Sequence, residues 1–198
     1  MKVYNTQNIN TSEYWDQVYQ GEVGTNKVRV DQDRISYLVK EMDIEEGKLL
    51  DVGCGNGEML RWIHNDRPHY SIHGIDITPT TLQQIKKGWP DWDIKEASIY
   101  SIPFPENYFD VIFCGETIEH LENTEAALDE LFRVCKEGGK VVISLPNEDR
   151  NTSVEHLKEF TIFDVIKMNS KYGEVTDIKV LCSGLSIIST TIKKITEC

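Results

Sequence analysis

The sequence predicts one α/β domain wound around a mainly parallel sheet, and three observations predict it. From Leu49 onward, short apolar runs alternate with longer amphipathic ones, which is the pattern of strand and crossover helix. A glycine-rich turn, Gly53-Cys54-Gly55-Asn56-Gly57, joins the first apolar run to the first amphipathic stretch. Near the C-terminus, two alternating runs meet at Ser183-Gly184, a tight-turn pair that implies an antiparallel hairpin.

Taken in order, residues 12–19 and 31–42 read as two helices, the second carrying Ile35, Leu38, Val39 and Met42 at helical spacing. Strands are expected at 48–52, 71–75, 92–97, 109–114 and 140–145, with helices at 58–65, 79–88 and 124–135 in the connections. A helix at 161–170 and β runs at 175–182 and 185–193 close the chain. The expected organisation is a single domain: a helical cap over 1–47 that covers the cleft, a ligand-binding core over 48–145, and a helix with a hairpin over 146–198.

Length and composition narrow the class. A chain of 198 residues buries a real core but has no room for a separate substrate domain. Hydrophobic residues are 39% and charged residues 27%, and no apolar run approaches the roughly 20 residues of a membrane span. Residues 1–10 are polar and lack the apolar stretch of a secretory signal, so a cytoplasmic protein that does not engage a membrane is expected. Cys54, Cys114, Cys135, Cys182 and Cys198 form no C-x-x-C pair, which suggests neither a zinc site nor a disulfide framework. The net charge of −12 repels phosphate backbones, so nucleic acid is disfavoured as a partner and a small-molecule substrate is favoured. No motif speaks to oligomeric state.

The glycine turn carries the first functional signal. Alternating glycines bare the backbone where a ligand must approach, and in an open parallel sheet ligands lie past the carboxyl ends of the strands at the switch point. A dinucleotide fingerprint would need a further glycine at the position held by Glu58, and that acid, with Asp51 at the strand end, opposes a pyrophosphate. The same acids suit a ligand carrying an ammonium and a sulfonium: Asp51 would hold the ammonium while the amides of Gly53, Gly55 and Gly57 approach its carboxylate and ribose. About 20 residues past the turn, Asp76 ends the second strand where an acid accepts ribose hydroxyls, with capping of the next helix as the lesser alternative. Ser98 and Ile99, after the third strand, would flank an adenine, with Ile77 on its other face.

Leu50-Asp51-Val52-Gly53-Cys54-Gly55-Asn56-Gly57, Gly74-Ile75-Asp76, Ile102-Pro103-Phe104-Pro105-Glu106-Asn107-Tyr108-Phe109-Asp110 and Lys136-Glu137-Gly138-Gly139 together resemble the class I S-adenosylmethionine-dependent methyltransferases. The resemblance spans residues 48–145 and implies a Rossmann-like seven-stranded sheet with an antiparallel last strand, helices on both faces, and S-adenosyl-L-methionine as cofactor. Cys54, as a small turn residue without chemistry of its own, and Gly115, ending the fourth strand, complete the cofactor lining it implies. Ser98 departs from the pattern, because many relatives carry an acid near the adenine amine.

After the fourth strand, Glu116-Thr117-Ile118-Glu119-His120 lies where the family places the methyl group and its acceptor. In a helical turn Glu116, Glu119 and His120 would converge, and Glu155-His156 offers a second imidazole after the fifth strand. An unassisted hydroxyl is a poor methyl acceptor. His120 or His156 would serve as a base, or Glu116, Glu119, His120 and His156 would hold a divalent ion that lowers the acceptor's pKa. A purely structural cap is the third reading. The spacing Glu116-x-x-Glu119-His120 with a later His156 resembles the metal site of small-RNA terminal 2′-O-methyltransferases and, less closely, of ubiquinone-pathway O-methyltransferases, which implies Mg2+ or Mn2+. The favoured activity is O-methylation of a small-molecule hydroxyl; terminal RNA 2′-O-methylation, N-methylation and a catalytically silent cofactor-binding subunit are the alternatives. Tyr4, Tyr14, Trp15 and Tyr19 would either line an acceptor pocket or pack on the core, whereas Trp89 and Trp92 read as packing residues.

Overall fold

The computed structural model describes residues 2–3, 8–21, 32–42, 45–147, 155–181 and 186–195. Its centre is a seven-stranded sheet built from β2 (Gly47–Val52), β3 (Tyr70–Asp76), β4 (Asp93–Glu96), β5 (Phe109–Gly115), β6 (Cys135–Pro146), β8 (Gly173–Leu181) and β9 (Ser186–Lys193), in the order β4-β3-β2-β5-β6-β9-β8. The five strands from β2 to β6 are mutually parallel, and β9 runs antiparallel between β6 and β8. The expected antiparallel last strand is therefore present. Its tight turn at Ser183-Gly184, together with Cys182 and Leu185, lies outside the described residues, as do Tyr4, Asp31 and Cys198.

Both sheet faces are buried, so the strands are apolar almost throughout rather than alternating. On β2, Leu49 points to one face, where it joins Ile35 and Leu38 of α2 (Gln32–Glu41), Leu60 and Ile63 of α3 (Glu58–Asp66), and Leu82 and Ile85 of α4 (Pro79–Gly88). Its neighbour Leu50 points the other way, toward Leu128 and Leu131 of α5 (Thr124–Val134) and Val165 of α6 (Ile162–Ser170). α1 (Ser12–Gln20) packs against α4, and none of its residues is fully buried.

Two element ends and one ribbon are among the differences from the sequence expectation. Cys135 was expected to end a helix, but it opens β6 by pairing with Phe109, ahead of an irregular stretch at Lys136-Glu137-Gly138-Gly139 in which Gly138 has φ of +73°. Thr161 does not begin α6; it caps it, its hydroxyl accepting from the Asp164 amide while the Asp164 carboxylate accepts from the Thr161 amide. An unforeseen ribbon pairs β1 (Lys2–Val3) antiparallel with β7 (Lys158–Glu159). Among the described residues no helix is long and apolar enough to cross a membrane.

This winding places the ligand end. Strand order reverses between β2 and β5, so the segments leaving Val52, Asp76 and Gly115 surround one crevice at the carboxyl ends of the strands.

Candidate functional site

Four amides of the glycine turn are satisfied inside the protein. The Gly53 and Cys54 amides donate to the Ile75 carbonyl at 2.9 and 3.0 Å, and the Gly57 amide donates to the Cys54 carbonyl at 2.8 Å. The Gly55 amide donates to Asp76 Oδ2 at 2.8 Å, and the Glu58 amide to Asn56 Oδ1 at 3.1 Å. These amides, expected to approach a ligand's carboxylate and ribose, already have partners inside the protein. What the glycines contribute is room. Gly55 has φ of +49°, and a Cβ there would run into the hydroxyl of Tyr19 from α1.

Two carboxylates underlie the turn. Asp51 is buried, and that burial, with Asp76 nearby, pushes its carboxyl up to about 8. Asp76 accepts from the Thr78 hydroxyl at 2.6 Å and amide at 2.9 Å through Oδ1, and from Gly55 through Oδ2. Burial still raises its pKa against these bonds. Thr78 is the N-cap residue of α4 and that helix has no side-chain cap bond, so Asp76 holds the N-cap residue without capping the helix itself, and its carboxylate also pins the glycine turn.

Beyond these groups opens a cavity of about 240 Å³. Gly53, Asp76, Ile77, Ser98 and Ile99 line it on the side expected for the nucleoside, whereas Asp51, Cys54, Gly55, Gly57 and Gly115 do not reach its wall. Trp15, Tyr19, Tyr100, Glu116, Thr117 and His120 line the remainder. Among the described residues none of the lining side chains is lysine or arginine. α1 closes one side, held by the Ser12 hydroxyl donating to the Ile77 carbonyl at 2.6 Å and the Tyr14 hydroxyl donating to Glu155 Oε1 at 2.7 Å. Of the aromatic residues singled out near the N-terminus, Trp15 and Tyr19 thus line the cavity, and Tyr14 anchors the helix that carries them.

At the other end lies the acidic and histidine cluster, arranged differently from the sequence expectation. Glu116 adopts φ of +50°, a left-handed conformation that is strained for a residue other than glycine and tends to mark functional sites. Its amide donates to the Ser144 carbonyl at 2.9 Å, and the Ser144 hydroxyl donates to its Oε1 at 2.7 Å, with Arg34 Nη1 at 3.7 Å. Glu116 is thereby turned toward β6 and α2. The following residues form a single 3-10 turn, Ile118–His120, rather than an α-helical one. The foursome Glu116, Glu119, His120 and His156 therefore reduces to three.

A ligand atom from each of Glu119, His120 and His156 lies within 4.8 Å of the other two. Glu119 is 1% exposed, and among the described residues neither carboxylate oxygen has a hydrogen-bond partner. Its closest basic atom is His120 Nε2, 3.6 Å from Oε1 and beyond hydrogen-bond reach. His120 Nδ1 lies 3.0 Å from the Glu155 carbonyl oxygen, which only accepts, so Nδ1 carries the ring proton and Nε2 presents a lone pair toward Glu119. Burial, with His156 adjacent, lowers His120 to about 4, and burial lowers His156 as well. Burial, with Glu116 nearby, holds the Glu119 carboxyl well above the usual carboxylate range. Two neutral imidazoles and a buried carboxyl without partners among the described residues thus face one another.

With this geometry in place, comparison with known proteins shows what the chain is similar to. A methyltransferase domain family model matches residues 50–143. The ubiquinone/menaquinone biosynthesis C-methyltransferase UbiE of Desulfotalea psychrophila is 28% identical over 53% of this chain. The core of the chain, residues 50–143, is thus similar to the methyltransferase domain family. An uncharacterised protein of Methanocaldococcus jannaschii is 29% identical over 82% of the methyltransferase described here and 69% of its own length. The chain spans less than half the length of UbiE, 44%. A crystal structure of a SAM-dependent methyltransferase from Aquifex aeolicus superposes with a TM-score of 0.66 at 20% identity, covering 82% of this chain and 98% of that one, which shows the shared fold.

Sequence motifs alone had not singled out several residues around the methyltransferase's cleft. Thr117, whose hydroxyl donates to the Gly115 carbonyl at 3.0 Å, fills the space beside Gly53. The Glu155 carbonyl sets the tautomer of His120 and also accepts from Asn10 Nδ2 at 3.0 Å. A backbone carbonyl carries no residue-type signal, so nothing in the sequence could have marked it.

Proposed function

We propose that this methyltransferase moves the methyl group of S-adenosylmethionine to a hydroxyl oxygen on a small molecule, with a divalent cation held by Glu119, His120 and His156. The observation that carries the proposal is Glu119: a buried carboxyl with both oxygens lacking a donor among the described residues is destabilising unless something binds it, and two imidazole lone pairs share its pocket. That donor set fits a cation. With two nitrogens and one oxygen it suits manganese better than magnesium, which prefers oxygen ligands.

When bound, the cation supplies Lewis acidity to the acceptor oxygen, and the nucleoside supplies an electrophilic methyl group. The chain's own residues do the rest. Asp51 and Asp76 place negative charge beneath a cationic ligand, Ile77, Ser98 and Ile99 form the walls for its adenine, and Trp15 and Leu121 keep the acceptor end dry. Trp15 packs edge-on against His120, with ring centroids 4.9 Å apart, and so fixes the imidazole that Glu155 orients.

Catalysis by His120 as a base without metal is the weaker reading, because an imidazole lowered to about 4 removes a proton poorly near neutrality. RNA methylation is likewise disfavoured, since the cavity wall offers no lysine or arginine among the described residues to meet a phosphate. The test is turnover of a hydroxylated acceptor panel after exhaustive chelation, followed by manganese add-back. Loss and restoration are expected; full activity in the metal-free protein would end the metal assignment. Calorimetry with S-adenosylhomocysteine checks the cofactor separately.

A further inference from the structure

Four amides of the turn that meets the cofactor's amino-acid end in the reading above have partners within the protein: Gly53 and Cys54 on the Ile75 carbonyl, Gly55 on Asp76, and Gly57 on the Cys54 carbonyl. Asp51 and Asp76, the carboxyl groups beside the turn, suit an ammonium and not a carboxylate, and the one guanidinium described at the turn, that of Arg61, donates to the Asn56 carbonyl at 2.8 Å and does not line the cavity. A methionyl carboxylate entering here meets repulsion unless an X–H group faces it.

We infer that Tyr19 of α1 is that group, the hydrogen-bond donor for the cofactor's carboxylate. Three observations converge on it. Tyr19 lines the cavity from the α1 side. Its hydroxyl rests against Gly55, in the space that any Cβ at that position would occupy, so this glycine is kept bare for the phenol as well as for its φ of +49°. Burial, reinforced by Asp76, Cys54 and Asp51, pushes the phenol's pKa upward, so it stays protonated and available as a donor. α1 is tethered to the nucleoside wall through Ser12 and to the metal-site loop through Tyr14 and Glu155. The helix that carries Tyr19 therefore links both ends of the cleft.

The assignment rests on the cofactor reading above, and the ligand pair that tests it keeps the two apart. S-adenosylmethionine and its decarboxylated form share the sulfonium, ammonium and nucleoside and differ in the carboxylate alone. Calorimetry on the whole chain should show the wild type preferring the carboxylated ligand. Tyr19→Phe, which keeps the ring's packing, should weaken that ligand by about tenfold or more while moving the decarboxylated ligand by less than about twofold. Tyr19→His, which can still donate, should recover part of the preference. Equal losses for both ligands would show that Tyr19 only shapes the wall, and an unchanged preference in Tyr19→Phe would place the donor elsewhere; either result overturns the assignment. If the folded wild type takes up neither ligand, the cofactor reading fails first and this inference goes with it.

Discussion

The two ends of the cleft are built on opposite principles. Around the glycine turn, each amide described above has a partner, and Asp76 accepts from three donors at once. Around Glu119, both oxygens of a fully buried carboxyl lack a donor among the described residues, and a neutral imidazole stands 3.6 Å away. The first end is a finished scaffold whose function lies in shape and charge. The second carries buried polar groups left unsatisfied, an arrangement that reduces stability and persists where a ligand completes it.

The widest separation between the two ends comes from Glu119→Gln. In the metal-assisted reading this change removes the one anionic ligand of the cluster, so turnover should fall by roughly a hundredfold or more, because losing one metal ligand commonly has at least that effect. The cation-free protein should at the same time become more stable, by about 1–2 kcal/mol in urea denaturation, since a buried ionisable group without partners has been replaced by a neutral one. Unchanged turnover together with lower stability would make Glu119 a scaffold residue and erase the contrast.

Asp76→Ala probes the finished end. It removes the acceptor of three hydrogen bonds and leaves the Gly55 amide buried without a partner, so about 3 kcal/mol of stability should go, along with uptake of S-adenosylhomocysteine. Stability retained to within about 0.5 kcal/mol would show that solvent readily replaces these bonds.

This contrast was only half legible in the sequence. The fold was readable because hydrophobic period and turn chemistry are local: Leu49 and Leu50 sit on opposite sheet faces as alternation requires, and Ser12, Pro79 and Thr124 begin helices where capping and periodicity put them. The glycine turn and Asp76 were readable for the same reason, since each works through its immediate neighbours. The cluster was not fully readable. Whether Glu116 converges with Glu119 depends on one dihedral, its φ of +50°, and on Ser144 reaching across from β6, a long-range contact that helical spacing does not encode. Tyr19 was visible as an aromatic residue, but its place against Gly55 depends on how α1 docks.

Asp51 offers a pH test of the first end. Its folded pKa of about 8 lies above the ordinary value of 3.8, so the folded protein without cofactor holds a proton that the unfolded chain releases. This contribution to stability is complete below about pH 4, declines as pH rises, and is gone above about pH 8. A cationic ligand favours the ionised carboxylate, so cofactor binding should release a proton across that window, and affinity should rise by up to about tenfold per pH unit toward pH 8. Calorimetry in buffers of different ionisation enthalpy counts the proton. Affinity that is flat from pH 6 to 8, or equally steep in Asp51→Asn, would remove Asp51 from the ammonium site.

Glu116→Gln should have the smallest effect and separates the three-residue cluster from the four-residue set most sharply. If Glu116 were a ligand, losing its charge would weaken manganese binding by about tenfold or more. In this structure it faces Ser144, and the Gln carbonyl can still accept from that hydroxyl. Its charge acts on Glu119 by raising that carboxyl's pKa, and so strengthens the proton that competes with a cation. Removing the charge eases ionisation of Glu119, so manganese affinity near neutral pH should stay constant or rise by about two- to threefold, with the difference vanishing as pH increases. A titration of Glu116→Gln with manganese at two pH values reads both magnitude and sign, and a large loss at both would return Glu116 to the ligand set.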